Sequence, residues 1–405
     1  MSTRIGVGKS NETDAYAAGQ AAAKMALEHT GVDDCDFVML FATVGYDQEQ
    51  LLNGVKSVTG NAPMSGCSGE GVITQDGPEG EVMFALSGSE QEHEVVGVMT
   101  FASDEIRFRN YCVHELKEDS FRAGAALGDA VKEDGIDDAR ILCMFPDGYA
   151  TNTYRLFEGI DSVIEKPLTF IGGFPGHNLT FSRITYQYHN YQVFTEAVPC
   201  VVLRGSFDFE IGVNHGCLPI GLEKKVTKAE SNTVISIENR PAWSFFQEYL
   251  GEDVKQLNSE NSPAVSLGVR CQDDSTGEYD KYIVRAPFLQ NPDGSILFAA
   301  EMTEGTDVRV MRRDEDKISL GATELAKKIK VKLNGRKPLA VLHFDCAGRG
   351  KMFFGNEVKV RVIDVLQDAI GKDVPWLGFF SFGEIAPVNG INHFHNQTVA
   401  LCIIY

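Results

Sequence analysis

Cys67 and Ser68 stand between glycines in Ser65-Gly66-Cys67-Ser68-Gly69-Glu70-Gly71. A thiol or hydroxyl on a tight turn becomes a nucleophile when a base lies beside it. Cys346 begins a comparable turn, Cys346-Ala347-Gly348-Arg349-Gly350. Cys67 or Cys346 is therefore the candidate nucleophile of a hydrolase or acyltransferase, with Ser68 as the hydroxyl version. Arg349 offers a planar fork that grips a carboxylate through two parallel hydrogen bonds. Glu384, in Gly383-Glu384-Ile385-Ala386-Pro387, suits an amine or a loop hydrogen bond. The alternative for Arg349 and Glu384 is a structural ion pair joining two loops. His393-Phe394-His395 puts two rings on one face of a strand. With Cys346 these are ligand types for a metal or a haem iron. His177 and His189 flank an aromatic run holding Tyr186, Tyr188 and Tyr191, which suits haem or an ordinary core. The haem-iron candidates are thus His177, His189, His393 and His395. The alternative for His395-Asn396-Gln397-Thr398 is hydrogen bonding that holds the last strand in place.

Three familiar patterns fail. Gly6-Val7-Gly8-Lys9-Ser10 resembles the end of a phosphate loop, but its first glycine would fall at Thr3. Gly348-Arg349-Gly350 lacks the third glycine of a dinucleotide fingerprint, since Phe353 occupies that place. Gly66-Cys67-Ser68-Gly69-Glu70 ends on Glu where a nucleophile elbow has Gly.

The elements that position these residues come from an internal repeat. Gly31-Val32-Asp33-Asp34-Cys35-Asp36-Phe37-Val38-Met39-Leu40-Phe41 recurs 104 residues later as Gly135 to Phe145, with four of eleven positions identical. An alanine-rich helical stretch precedes each copy, Asp14 to Leu27 and Phe121 to Lys132. A second helical stretch follows, Gln48 to Val58 and Asn152 to Ile160. A proline then begins a Gly-rich segment, 26 residues after Phe37 and after Ile141. A third copy has a helix over Ala322 to Leu333 and a buried-strand run over Leu339 to Phe344. A longer second helix, Glu357 to Ile370, leads to its proline-opened strand, Val374 to Phe380. Further strands are expected at Glu94–Phe101, Gln192–Leu203 and Thr398–Ile404. Residues 205–320 hold several short strand patterns, a helix at Trp243–Leu250, and polar loops at 258–261 and 271–277.

This alternation predicts an α/β protein of repeated units, with two mixed β-sheets flanked by helices and a strand-rich middle segment. The expected division is 1–212, as units 1–105 and 106–212, and 213–405, as strand-rich 213–320 and a third unit 321–405. In such sheets ligands gather at the carboxyl ends of strands. Those ends are Thr43-Val44-Gly45-Tyr46, Asp147-Gly148-Tyr149 and the Cys346 turn. The Gly-rich segments, including Gly172-Gly173-Phe174-Pro175-Gly176-His177, let backbone N–H groups turn toward a small anion. The alternative is that these glycines only make turns and close packing.

Composition limits the function classes. The chain has 405 residues, 43% of them hydrophobic, and a formal net charge of −20. That excludes disorder and makes nucleic acid a poor partner. The first 150 residues carry −16, whereas residues 305–405 carry +4. No run of about 18 apolar residues suggests a membrane helix, and Met1 to Gly6 carries no apolar signal core. With nine scattered cysteines, a reducing cytoplasmic location without membrane insertion is expected.

On these residues the sequence resembles the FIST family of bacterial sensory proteins, which pair a FIST N with a FIST C domain. The resemblance rests on Pro63 to Ile73, Asp147-Gly148 and Gly172-Gly173 in one half. In the other it rests on Cys346-Ala347-Gly348-Arg349, Gly383 to Pro387 and His395-Asn396-Gln397-Thr398. It implies intracellular sensing of an amino acid-like metabolite, or of nitric oxide through haem. The signal would pass to a separate protein such as a histidine kinase or a cyclic-di-GMP enzyme. Strand ends and resemblance together nominate Gly66, Cys67, Ser68, Asp147, Gly172, Gly173, Cys346, Arg349, Glu384 and Asn396 as ligand-binding residues, with catalysis not expected.

Overall fold

The computed structural model describes residues 3–80, 94–177, 184–251, 253–257, 264–271, 281–298 and 300–405. Of the polar-loop stretches expected at 258–261 and 271–277, only Cys271 lies within the described residues.

Local signals place the helices. Asp14 caps the helix Ala15–Thr30 by accepting from the Ala17 N–H, and Gly31 ends it in the left-handed conformation at φ 70°. Asp47 and Asn152 cap Gln48–Thr59 and Thr153–Val163 in the same way. The helix expected at Phe121 begins earlier, at Leu116, but breaks at Asp119, whose side chain caps the Arg122 N–H. The apolar runs between helices become strands with every residue buried, Phe37–Ala42 and Trp376–Ser381 among them. Gln192–Leu203 is not one strand. The chain turns at Glu196 (φ 57°) and splits it into Gln192–Phe194 and Val198–Gly205, which join different sheets.

Mixed sheets flanked by helices are present as expected. The mixed sheets number three among the described residues rather than two, because each repeat unit builds its own, and the strand-rich middle forms a fourth, all-antiparallel sheet. Three six-stranded sheets share one plan. The first runs Arg4–Ser10, Val96–Ala102, Phe37–Ala42, Met64–Ser68, then the hairpin Gln187–His189 and Gln192–Phe194. The second runs Ile106–Val113, Val198–Gly205, Ala139–Met144, Thr169–Gly173, then the hairpin Glu384–Val388 and Ile391–His395. The third runs Phe209–Asn214, Val399–Ile404, Ala340–Cys346, Trp376–Ser381, then the hairpin Val72–Thr74 and Gly77–Glu79. In each, only the third and fourth strands are parallel.

The terminal hairpin of each sheet therefore comes from another unit. The first unit gives its hairpin to the third sheet, the third to the second, and the second to the first. This cyclic exchange closes three units into a ring. The outer strand Phe209–Asn214 belongs to the third sheet, while its helix Glu315–Leu333 follows about a hundred residues later. The all-antiparallel fourth sheet, from Cys217 to Arg313, is thus inserted inside the third unit.

The inner faces of the three sheets meet in one apolar core. At its centre lie Phe41, Phe145 and Phe344, one from the same position of each repeat. Their ring centroids are 5.1, 6.0 and 6.2 Å apart, and Phe379 sits 4.6 Å from Phe41. The helices bury their apolar stripes against the outer faces in three separate cores. Among the described residues no helix is long and apolar enough to cross a membrane.

Candidate functional site

The three Gly-rich segments cross at the carboxyl ends of the parallel strands. Ser68 donates its hydroxyl to the Gly176 carbonyl at 2.6 Å, and the Gly176 N–H donates to Ser68 O at 3.1 Å. The His177 N–H donates to Glu70 Oε1 at 2.7 Å, and the Glu70 N–H to Phe380 O at 2.9 Å. Phe174 N–H donates to Gly383 O, and Phe382 N–H to Phe174 O. Two of the predicted glycines have a packing reason here. A Cβ on Gly66 would lie 1.8 Å from Leu40 O, and one on Gly172 1.9 Å from Met144 O. The third repeat does the same at Gly378, 1.7 Å from His343 O. Gly173 faces the Phe379 ring, where a Cβ would stand 3.0 Å from Cζ.

Asp147 is a buried scaffold for the second strand end. Its Oδ1 accepts from the Tyr149 and Ala150 N–H groups, and its Oδ2 from Thr185 Oγ1 and Gln187 Nε2. The turn it holds forms one wall of a cleft of about 580 Å³. Gly148, Tyr149 and Thr151 face Phe288, Leu297 and Phe298 of the inserted sheet across it. The Tyr149 and Phe288 rings lie 4.8 Å apart. Asn152 caps its helix and also donates Nδ2 to Ser231 Oγ of the insertion at 2.9 Å. Tyr149 OH in turn bonds His177 Nε2 at 2.7 Å, and the His177 ring packs 4.8 Å from Phe382. Neither Phe288 nor Phe298 carries a motif. Their only sequence signal is the short strand pattern around them.

The third strand end is a closed polar cluster. Arg349 is fully buried, and its partner is Asp345 at 2.7 Å, not Glu384. Burial works against the Asp345 charge, but Arg349 and His343, 3.3 Å away, outweigh it and hold the carboxyl below its usual range. Asp345 lies at the end of the strand Ala340–Cys346 and Arg349 in the turn after it, so no helical or strand periodicity pairs them in the sequence. Glu384 accepts from Ser381 Oγ at 2.6 Å and from the Thr398 N–H at 3.2 Å. Burial, reinforced by the Asp345 charge, pushes its carboxyl well above the usual range. Asn396 bridges: its Oδ1 accepts from the Ala286 N–H of the inserted sheet, and its Nδ2 donates to Phe382 O.

Neither candidate nucleophile is activated. Cys67 and Cys346 are buried, and burial pushes both thiols well up, the first aided by Cys143 and the second by Glu384. A nucleophilic cysteine needs the opposite shift. Ser68 Oγ spends its hydrogen on a carbonyl and accepts from the Tyr186 N–H.

The four histidines are placed apart, apart from the pair His393 and His395 with ring centroids 6.1 Å from each other. His395 is fully buried with Nε2 on Ala386 O at 3.0 Å, and His393 Nδ1 lies 3.2 Å from Tyr154 OH. His189 bonds Asn190 on the edge hairpin of the first sheet. Burial and nearby Arg285 lower His393 to about 4. A haem needs a ring nitrogen facing a slot as wide as the macrocycle. The 580 Å³ cleft has no histidine in its wall, and no cluster of three His, Cys, Asp or Glu side chains suits a metal among the described residues. Ring nitrogens of His177, His393 and His395 are instead engaged by Tyr149 OH, Tyr154 OH and Ala386 O.

Comparison with known proteins supplies the family. Residues 36–240 match the model of the FIST N domain, and residues 242–387 that of the FIST C domain. An uncharacterized protein of Mycobacterium tuberculosis is 26% identical over 415 residues, covering 99% of both chains. An uncharacterized protein of Methanocaldococcus jannaschii is 21% identical over 338 residues, or 76% of this chain and 64% of that one. Among solved structures, a chorismatase aligns over 100% of this chain and 99% of its own at 8% identity and a TM-score of 0.37. A cyanuric acid hydrolase from A. caulinodans aligns over 50% and 71% at 10% identity and a TM-score of 0.28. Both scores are too low to argue from.

Proposed function

The chain belongs to the FIST family, whose domains are sensory, and from that premise we propose that it binds a small molecule in the 580 Å³ cleft and reports occupancy to a separate protein. One observation carries this reading: the cleft walls come from both halves. Gly148 to Asn152 lie in the region matching FIST N, and Phe288 to Phe298 in the region matching FIST C. A ligand held there touches both, so its binding energy depends on how the inserted sheet sits against the second unit. That dependence is what a sensor requires, since a ligand shifts a conformational equilibrium only through different affinity for two states. The walls suit a ligand with a flat apolar body and polar edges. Tyr149 and Phe288 supply stacking surface, and the buried Thr151 hydroxyl in the wall meets no protein partner. Amino acid-like metabolites are the ligand class, a histidine kinase or a cyclic-di-GMP enzyme the class of listener, and the cytoplasm the place. The two-part division of the chain serves this reading by setting one wall in each half.

The test is a thermal-shift screen of the whole protein over amino acids and nucleotides, repeated with Phe288→Ala. A ligand selective for the native state raises its midpoint. Weakening by roughly tenfold or more in Phe288→Ala supports the cleft. An unchanged affinity in both Phe288→Ala and Tyr149→Ala refutes it.

A further inference from the structure

Arg349 leaves half of its guanidinium unused. Nη1 holds Asp345, while Nε and Nη2 meet no acceptor although the side chain is fully buried. Nε and Nη2 are the two donors of one edge, whose parallel N–H bonds match two oxygens of a planar anion. Buried donors are ordinarily satisfied, and a charged pair left without acceptors is costly.

The charge of the cluster points the same way. Arg313 donates Nη1 to the Gly348 carbonyl, next to Arg349, and lies 4.6 Å over the Phe353 ring. Its Nε also meets no acceptor, and among the described residues no carboxylate pairs with it. Arg349 and Arg313 thus bring two guanidinium groups to this turn, and Asp345 is the carboxylate that pairs with one of them. Glu384 is taken up by Ser381 Oγ and the Thr398 N–H and makes no ion pair with either guanidinium.

We propose that the open Nε/Nη2 edge of Arg349 seats a small planar oxyanion, with Arg313 as the second cation that balances it. The chemistry is shared by the carboxylate of an organic acid and by inorganic nitrate or bicarbonate. The seat is closed, so the guest enters when the turn from Gly348 to Phe354 opens. It is distinct from the cleft, and the inference does not rest on the cleft's ligand.

The full-length protein is titrated with sodium acetate, sodium nitrate and sodium bicarbonate against sodium chloride at matched ionic strength, reading the thermal midpoint. At least one oxyanion is expected to raise it saturably where chloride does not. Which one responds distinguishes organic carboxylate from inorganic anion. Arg349→Lys keeps the charge and loses the fork, so its apparent affinity falls roughly tenfold or more. Arg349→Met abolishes the response, and if it does not fold, Arg349→Lys decides. Phe288→Ala leaves the response unchanged, which separates failure here from failure of the cleft reading. A crystal structure grown in the responding anion is expected to show it on Nε and Nη2. Two outcomes overturn the proposal: no oxyanion distinguished from chloride, with only water on that edge, or the same response in Arg349→Lys as in the natural protein.

Discussion

Replacing Phe41 with alanine in the first unit is expected to destabilise the third unit as well. Phe41 is fully buried where the three sheets meet, with Phe379 at 4.6 Å, Phe145 at 5.1 Å and Phe344 at 6.2 Å. Truncating a buried phenylalanine costs about 3–5 kcal/mol, and aromatic pairs of this geometry add about 0.5–1.5 kcal/mol each. Phe41→Ala therefore removes about 5 kcal/mol, a large part of the roughly 5–15 kcal/mol that holds a native protein. Phe41→Leu keeps most of the apolar volume and loses about 2 kcal/mol. The loss cannot stay local, because the hairpin Val72–Thr74 of the first unit pairs with the third unit's strand Trp376–Ser381, Leu377 opposite Thr74. The assay is urea unfolding in a Trp243→Phe background. The remaining tryptophan, Trp376, is fully buried and donates Nε1 to Gly371 O. Its fluorescence reports the third unit, and far-ultraviolet circular dichroism reports the whole chain. Both transitions should move together to lower urea in Phe41→Leu and further in Phe41→Ala. If circular dichroism shows an early loss while the Trp376 midpoint stays in place, the units unfold separately and the exchange does not couple them.

Glu384→Gln, which keeps the size and the acceptor oxygen for Ser381 Oγ of a carboxyl that burial pushes up, should cost less stability than a change at Asp345. Asp345→Asn should cost about 3–5 kcal/mol by leaving Arg349 buried without its anion; equal urea midpoints for the two variants would reverse these assignments. His393 is lowered from 6.5 to about 4, so its folded form stays neutral where the unfolded form takes a proton. Its contribution is present above pH 6.5 and is lost as pH falls toward 4, by at most about 3 kcal/mol. His393→Gln should flatten that part of the stability profile, and an unchanged slope would count against the buried neutral ring. Iodoacetamide should label the partly exposed Cys35, Cys112 and Cys271 before Cys67 or Cys346. Peptide mass spectrometry reads the order, and faster labelling of Cys67 or Cys346 than of a free thiol would revive the nucleophile reading.

Much of this protein is written locally. The helix Gln48–Thr59 follows from Asp47, a periodic apolar stripe and Gly60, all within fourteen residues. The strands before and after it follow from short apolar runs. The repeat showed that such units recur, and the α/β class followed. The strand ends were found because each unit must turn there, which brought Asp147, Arg349 and Glu384 into view. Their partners were not legible. Arg349 pairs with Asp345 because the turn after the strand buries both side chains together, and the Glu384 carboxyl is pushed up because burial outweighs its donors. Gly66 and Gly172 read equally well as anion cradles or as packing until the neighbouring carbonyls were in place.

By itself, then, the sequence determined which stretches are helix or strand, the repetition of one unit, and the residue types at the strand ends. Those depend on contacts within a few residues. The tertiary structure alone decided the hairpin exchange, the insertion of a whole sheet inside the third unit, and the cleft between that sheet and the second unit. Gly378 meets Ile73 across about three hundred residues, and Glu384 meets Gly173 across about two hundred. Backbone hydrogen bonds of that kind carry no side-chain signature, so no local pattern foretells which edge a hairpin will join.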